Sequence, residues 1–180
     1  MRIIGGKHSK KRIIAPSNLP VRPTTDMAKE ALFNILDNYI YFEDVSVLDL
    51  FAGSGALGFE AASRGAAKVD MVDTASSAIK QLHNNNTTLG FESINIHRTT
   101  AQQYIQKSID KYDLIFLDPP FDSDELNTIS AIIHDCAAPD ALLYREYRKN
   151  QEINSMNPDI WTLHKQKTAG QVCFELWKRI

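Results

Sequence analysis

From residue 45 to residue 147 the chain alternates short apolar runs with longer segments in which apolar residues recur every three or four positions. The runs Val45 to Leu50, Lys68 to Val72, Ile94 to His97, Tyr112 to Leu117 and Ala141 to Tyr147 predict strands. The segments Gly55 to Arg64, Ala75 to Leu89, Ala101 to Ile109 and Asp124 to Cys136 predict helices between them. Gly65 and Gly90 fall where a chain leaving a helix turns left-handed, and so mark two helix ends. Regular alternation of strand and helix builds a parallel, doubly wound α/β sheet with helices on both faces. The tail breaks the pattern. Ile160 to Lys167 and Val172 to Lys178 are strand-like, and the residues between them, Thr168 to Gln171, are too few for a crossover, so they form an antiparallel pair.

The beginning of the chain is organised differently. Arg2-Ile3-Ile4 and Arg12-Ile13-Ile14 are short β-branched runs on either side of Gly5-Gly6 and a basic turn, which predicts a hairpin. Pro16, Pro20 and Pro23 keep the next stretch extended, as a linker. A helix is expected to start at Thr24 or Thr25, either of which can cap it, with Asp26 at the positive end of its dipole. Ala28, Ala31, Leu32, Ile35, Leu36 and Tyr39 form its expected buried stripe. Residues 1–23 are thus read as a basic arm and linker on a single domain, 24–180.

Composition narrows the class. At 180 residues the chain can bury a core without staples, and Cys136 and Cys173 belong to no spacing that suggests zinc, so no metal is expected. No signal-peptide pattern or bilayer-length apolar run is evident, which leads to the expectation of a cytoplasmic protein without a membrane partner. The formal net charge is only −2, yet residues 1–30 carry seven Lys and Arg against two acids. Arg2, Lys7, Lys10, Lys11, Arg12 and Arg22 therefore make a candidate phosphate-contacting surface, although a solvated basic turn explains the charge equally well.

The candidate chemistry begins at Leu48-Asp49-Leu50-Phe51-Ala52-Gly53-Ser54-Gly55-Ala56-Leu57-Gly58, which runs from a buried strand through a turn into a helix. Gly53, Gly55 and Gly58 fit G-x-G-x-x-G, and Asp73 follows at the end of the next strand, where an acid can take ribose hydroxyls. NAD and flavin enzymes share this fingerprint. Asp49 discriminates among them, because a pyrophosphate at that strand end would meet a like charge while the ammonium of S-adenosyl-L-methionine would be attracted. A second strand ends in Asp118-Pro119-Pro120-Phe121. An exocyclic amine on a base is a poor nucleophile until its protons are held, and the Asp118 carboxylate and Pro119 carbonyl are suited to accept them. Phe121 can stack on the base, a contact worth roughly 1–3 kcal/mol. Taken alone, the segment is equally a proline-rich turn.

These segments, together with Arg22-Pro23-Thr24-Thr25-Asp26, Glu30-Ala31-Leu32-Phe33-Asn34-Ile35-Leu36, Glu60-Ala61, Ser63-Arg64-Gly65-Ala66 and the opening Met1 to Gly6, resemble the bacterial small-subunit rRNA guanine-N2 methyltransferases of the RsmD type over nearly the whole chain. The resemblance implies a class I methyltransferase fold of seven strands with the last antiparallel. It implies S-adenosyl-L-methionine as cofactor and a guanine of 16S rRNA in an assembling 30S particle as substrate, guanine 966 by that family's usual target. It places Asp49, Gly53, Ser54 and Gly55 around the methionine part of the cofactor and Asp73 at its ribose, with Phe51, Ala52 and Thr74 as further cofactor-binding residues. Asp118, Pro119, Pro120 and Phe121 become the catalytic segment. Family members usually carry an acid after the third strand, where it can approach the adenine amine. Here the sequence reads Arg98-Thr99-Thr100-Ala101, so Thr100 and Ala101 are the expected adenine neighbours. Arg145, Arg148 and Lys149 make the fifth strand unusually basic, as an added RNA surface or as a solvated edge. A DNA adenine-N6 methyltransferase, an NAD-linked oxidoreductase and a non-catalytic RNA-binding module stay open as alternatives.

Overall fold

The computed structural model describes residues 1–16 and 26–180. The expected linker positions Pro20 and Pro23, the caps Thr24 and Thr25, and Arg22 lie outside the described residues. In chain order the elements are α1 (Asp26–Leu36), β1 (Ser46–Asp49), α2 (Ala56–Ser63), β2 (Lys68–Asp73), α3 (Ser76–Leu89), β3 (Ile94–Arg98), α4 (Ala101–Lys107), β4 (Tyr112–Leu117), α5 (Glu125–Ile132), β5 (Ala137–Arg148), β6 (Trp161–Ala169) and β7 (Val172–Arg179). They form one seven-stranded sheet in the order β3-β2-β1-β4-β5-β7-β6. β1 to β5 pair in parallel, and β7 runs antiparallel between β5 and β6. The fold is therefore α/β with a mostly parallel sheet and an antiparallel last strand, as the periodicity predicted.

Alternate residues of the central strands supply two separate cores. Val47, Leu114 and Phe116 face one side with α1, α2 and α3, while Leu48, Ile115 and Leu117 face the other with α4 and α5. The tail hairpin turns at Gly170, whose φ of 61° suits a residue without a Cβ. Among the described residues no helix is long and apolar enough to cross a membrane.

The predicted N-terminal hairpin contracts to one antiparallel bridge, Arg2 with Arg12. Its apolar residues do not hang free. Ile3 and Ile13 are buried in the same core as α1 and α2. Glu60, on α2, holds the segment in place: it is fully buried and accepts the N–H groups of Ile4 and Gly5 at 2.7 and 2.8 Å. Lys29 on α1 lies 3.2 Å from the same carboxylate and also donates to the Arg2 carbonyl, and Arg64 Nε adds a fourth donor at 3.1 Å. Burial pushes the Lys29 ammonium below its ordinary range, while Glu60 draws it back up.

That pair corrects the expected stripe of α1. Ala28, Ala31 and Tyr39 are exposed, and Lys29, Leu32, Phe33, Ile35 and Leu36 are buried. The stripe rotates because Phe33 stacks on Phe42 and packs at a tilt against Phe116, and because Lys29 finds a fixed carboxylate. Arg145 is a second correction: it is 1% exposed, bonds Glu175 at 2.6 Å across the β5–β7 pair, and lies over the Trp177 ring. It is part of the core and not of an RNA surface.

Removing one partner of a buried ion pair leaves the other charge stranded. Glu60→Ala is expected to destabilise the protein by about 3–5 kcal/mol in chemical denaturation, with Lys29→Met in the Glu60→Gln background recovering part of the loss. A loss below about 1 kcal/mol for Glu60→Ala would show that the N-terminal segment is held by its apolar residues alone.

Candidate active site

The chain leaves β1 towards β2 and β3 on one side of the sheet, then crosses to β4 on the other. The connections after β1 and β4 therefore diverge, and a crevice opens at the carboxyl ends of these two neighbours. Asp49 pairs with Phe116 across them, so Asp118 lies two residues beyond its level. Both carboxylates line one cavity of about 580 Å³, a size that suits a small-molecule ligand.

One wall is the turn between β1 and α2. Gly53 adopts a φ of 52° and its N–H donates to Asp73 Oδ2 at 2.8 Å. Asp73 Oδ1 accepts the Ala75 N–H at 2.8 Å, so each oxygen keeps a lone pair for a hydroxyl. Gly58 has a steric duty: a Cβ there would stand 2.4 Å from Met71 and 3.3 Å from Asp49 Oδ2. Its N–H, one of the donors left open in the first turn of α2, reaches Asp49 Oδ2 at 3.2 Å.

Asp49 is 4% exposed, and its hydrogen-bond donors among the described residues are backbone amides, with no cation beside it. Burial pushes its carboxyl up to about 7 against the pull of the Gly58 and Phe51 N–H groups, and nearby Asp73 adds to the rise. The cavity thus offers a desolvated acid at one end, which fits a ligand carrying a positive charge. Phe51, Ala52, Leu57 and Ala101 add apolar wall.

The opposite wall is Asp118-Pro119-Pro120-Phe121. Pro119 is buried, Asp118 and Phe121 are half-buried, and Pro120 is exposed. Ser123 fixes the turn by donating both its N–H and its Oγ hydrogen to the Pro120 carbonyl, at 3.1 and 2.7 Å. The predicted residues Asp49, Phe51, Ala52, Gly53, Ser54, Asp73, Thr74, Ala101 and Asp118 to Phe121 all line this one cavity. Gly55 and Thr100 stand outside its lining. A Cβ on Gly55 would strike Phe59 and Leu82, so it serves packing, and the Thr100 hydroxyl caps α4 by accepting the Gln103 N–H at 3.2 Å. Thr99 takes the place on the wall that Thr100 was expected to hold.

The basic residues are dispersed. Lys7, Lys10, Lys11 and Arg12 are exposed, and Arg2 is exposed but paired with Asp26 at 2.9 Å. None of them lines the cavity, although Ser54 Oγ lies 3.3 Å from Met1 Sδ, so the N-terminal segment begins at the cavity wall. Asp122, Glu125 and Arg148 also line it and were not foreseen there, because they are reached only through the turn after β4 and the far end of β5.

Three comparisons bear on this arrangement. Residues 1–178 match the family model described as conserved hypothetical protein 95. The ribosomal RNA small subunit methyltransferase D of Escherichia coli is 35% identical over 99% of this chain and 90% of its own length. The protein of the same name from Haemophilus influenzae is 34% identical over 99% and 93%. A solved protein from Escherichia coli superposes with a TM-score of 0.88 at 32% identity, covering 99% of this chain and 97% of its own. Matched by the model almost end to end, and by these relatives over nearly their full lengths, the chain belongs to the conserved hypothetical protein 95 family, that of the ribosomal RNA small subunit methyltransferase D proteins.

Proposed function

We propose that this protein transfers a methyl group from S-adenosyl-L-methionine to the exocyclic N2 amine of a guanine in 16S rRNA, within an assembling 30S particle in the cytoplasm. Guanine 966 is the position its family membership favours. The observation that carries the reading is the meeting in one cavity of a buried acid without a cation and the Asp-Pro-Pro-Phe segment. When bound, S-adenosyl-L-methionine supplies an electrophilic methyl group on a sulfonium.

Asp49 would hold the ammonium of its methionine part, with the Gly53 and Ser54 backbone close by. Asp73, with Thr74 beside it, would accept the ribose hydroxyl protons, and Thr99 and Ala101 would flank the adenine. A dinucleotide fits less well, since its pyrophosphate would lie against Asp49. On the opposite wall the Asp118 carboxylate and the Pro119 carbonyl accept the two amine protons and so aim the nitrogen lone pair across the cavity. Asp118 then takes the proton that the nitrogen loses. Phe121 holds the base by stacking. Positioning and placed charge thus supply the catalysis, with no covalent protein intermediate. Lys7, Lys10, Lys11 and Arg12, with Arg2 and Arg22, would meet RNA phosphates outside the cavity.

Three measurements test this reading. Asp118→Ala is expected to lower kcat on small-subunit rRNA at least about 100-fold while the Kd for S-adenosyl-L-methionine stays within about twofold; retained turnover refutes the geometry, and methylation of DNA in place of rRNA refutes the substrate. For Asp49 the sign is fixed by its raised pKa. The carboxylate predominates above pH 7, and below it a proton must leave before a cation can bind, so affinity for S-adenosyl-L-methionine falls towards tenfold per pH unit as pH drops below about 7. Asp49→Asn should bind weakly with no such acid limb, and a flat wild-type profile in calorimetry would count against the ion pair. Replacing Lys7, Lys10, Lys11 and Arg12 by alanine is expected to weaken RNA binding and flatten its salt dependence, and an unaltered slope excludes them as phosphate contacts.

A further inference from the structure

The cavity has a charge problem as a site for RNA. Asp49, Asp73, Asp118, Asp122 and Glu125 line it, and among the described residues its single cationic lining residue is Arg148. The five carboxylates suit a cationic cofactor but repel the phosphates that flank any nucleotide brought to Asp118. The exposed lysines of the N-terminal segment do not line the cavity, so the attraction they exert on phosphate acts outside it.

Arg148 stands where compensation is needed. Leu117 pairs with Arg145 across β4 and β5, and each chain runs three residues further, to Pro120 and Arg148. The guanidinium lies 5.4 Å from the Phe121 ring centroid, and its Nη1 donates to Asp122 Oδ1 at 3.1 Å. Both side chains of that ion pair are open to solvent, 57% and 84% exposed, so it is weak and readily exchanged. Arg145, three residues earlier, is sealed against Glu175 and cannot be exchanged in this way. A planar guanidinium also matches two phosphate oxygens at once, as an ammonium does not.

We infer that Arg148 binds the backbone phosphate beside the target nucleotide, and that Asp122 holds its guanidinium over Phe121 until RNA arrives. This rests on the proposed rRNA methylation. Entry of the base then exchanges an acidic partner for a phosphate and moves the guanidinium off the ring on which the base stacks. Arg148 is thus a substrate-binding residue whose effect is confined to RNA.

The test compares wild type with Arg148→Ala, Arg148→Lys and Asp122→Asn, using small-subunit rRNA as substrate and S-adenosyl-L-methionine binding and thermal unfolding as controls. Arg148→Ala is expected to raise KM for RNA by roughly tenfold and to reduce the salt slope of RNA binding by about one. Cofactor Kd and Tm should not move. Arg148→Lys should keep the slope and recover part of the KM, and Asp122→Asn should lower KM by freeing the guanidinium. An unchanged KM and slope in Arg148→Ala overturns the inference. So does a fall in kcat at constant KM, which would make Arg148 a prop for Phe121, or a loss of cofactor affinity, which would place it on the cofactor. If wild type transfers no methyl group to rRNA, the functional reading itself fails, a result distinguishable from a defect confined to Arg148.

Discussion

Two parallel strands, β1 and β4, lie side by side in the middle of the sheet although the chain visits β2 and β3 between them. That adjacency is the constraint on which the site depends. Neighbouring parallel strands whose outgoing connections turn in opposite directions cannot close over their own carboxyl ends, so a gap is left there. Their register brings Asp49 level with Phe116 and puts Asp118 just beyond it, on the far lip of the same gap. Both faces of these strands are covered by apolar residues, so the strand ends that floor the cavity are close-packed from either side. A polar group at such a place must be matched by protein or by ligand.

The buried acids show which of the two applies. Glu60 accepts from Ile4, Gly5, Lys29 and Arg64, and Glu175 is bonded by Arg145, Tyr147, Gln166 and Trp177. Burial raises Asp70, but hydrogen bonds from His97 and Tyr112 and the ion pair with Lys68 outweigh it and hold its carboxyl below the ordinary range. Each of these acids has a cation or several side-chain donors. Asp49 has backbone amides, and its carboxyl stands near 7. The contrast with the other buried carboxylates supports the proposal that Asp49 meets a ligand. The two roles of Asp49, closing the first turn of α2 through Gly58 and facing the cavity, are compatible because a carboxylate has lone pairs on both oxygens.

Much of this was legible in the sequence because the signals were local. The strand and helix periods, the two loops and the acids at the strand ends are all written within short windows. What was not legible depends on contacts between distant segments. Lys29 is polar by type and so falls outside the apolar stripe that periodicity gives α1, yet Glu60, 31 residues away, makes burial of its ammonium possible. Arg145 likewise has the charge of a surface residue, and Glu175, on a strand that pairs only after a reversal of direction, takes it inside. The choice between Thr99 and Thr100 turns on one residue of helix phase. Thr100 caps α4 because its hydroxyl oxygen accepts the Gln103 N–H, while Thr99, whose hydroxyl donates to Gln103 Oε1, stands on the cavity wall.

Electrostatics divides the molecule in a way that neither net charge nor any single motif conveys. The cavity is acidic, and the surface of the N-terminal segment is basic. A small cation is drawn inward and a polyanion is held outside, so the two reactants are sorted by charge before either is recognised by shape. The cost of this sorting appears at the boundary, where a nucleotide must carry its phosphates up to the acidic rim to present a base. Lysines on an exposed segment would, in the proposed function, attract RNA at a distance, but salt screens such attraction within about 8–10 Å. At the rim a cation in direct contact is needed, and it must not occupy the space that the base will fill. A side chain loosely tied to an exposed acid meets both demands, since it neutralises the rim before a base is present and, in the proposed exchange, moves onto phosphate when the base enters. On the proposed function, acidity that suits a cationic cofactor calls for an exchangeable positive charge at its edge, and Arg148, at the far end of β5 and beside the segment that follows β4, stands where it can supply one.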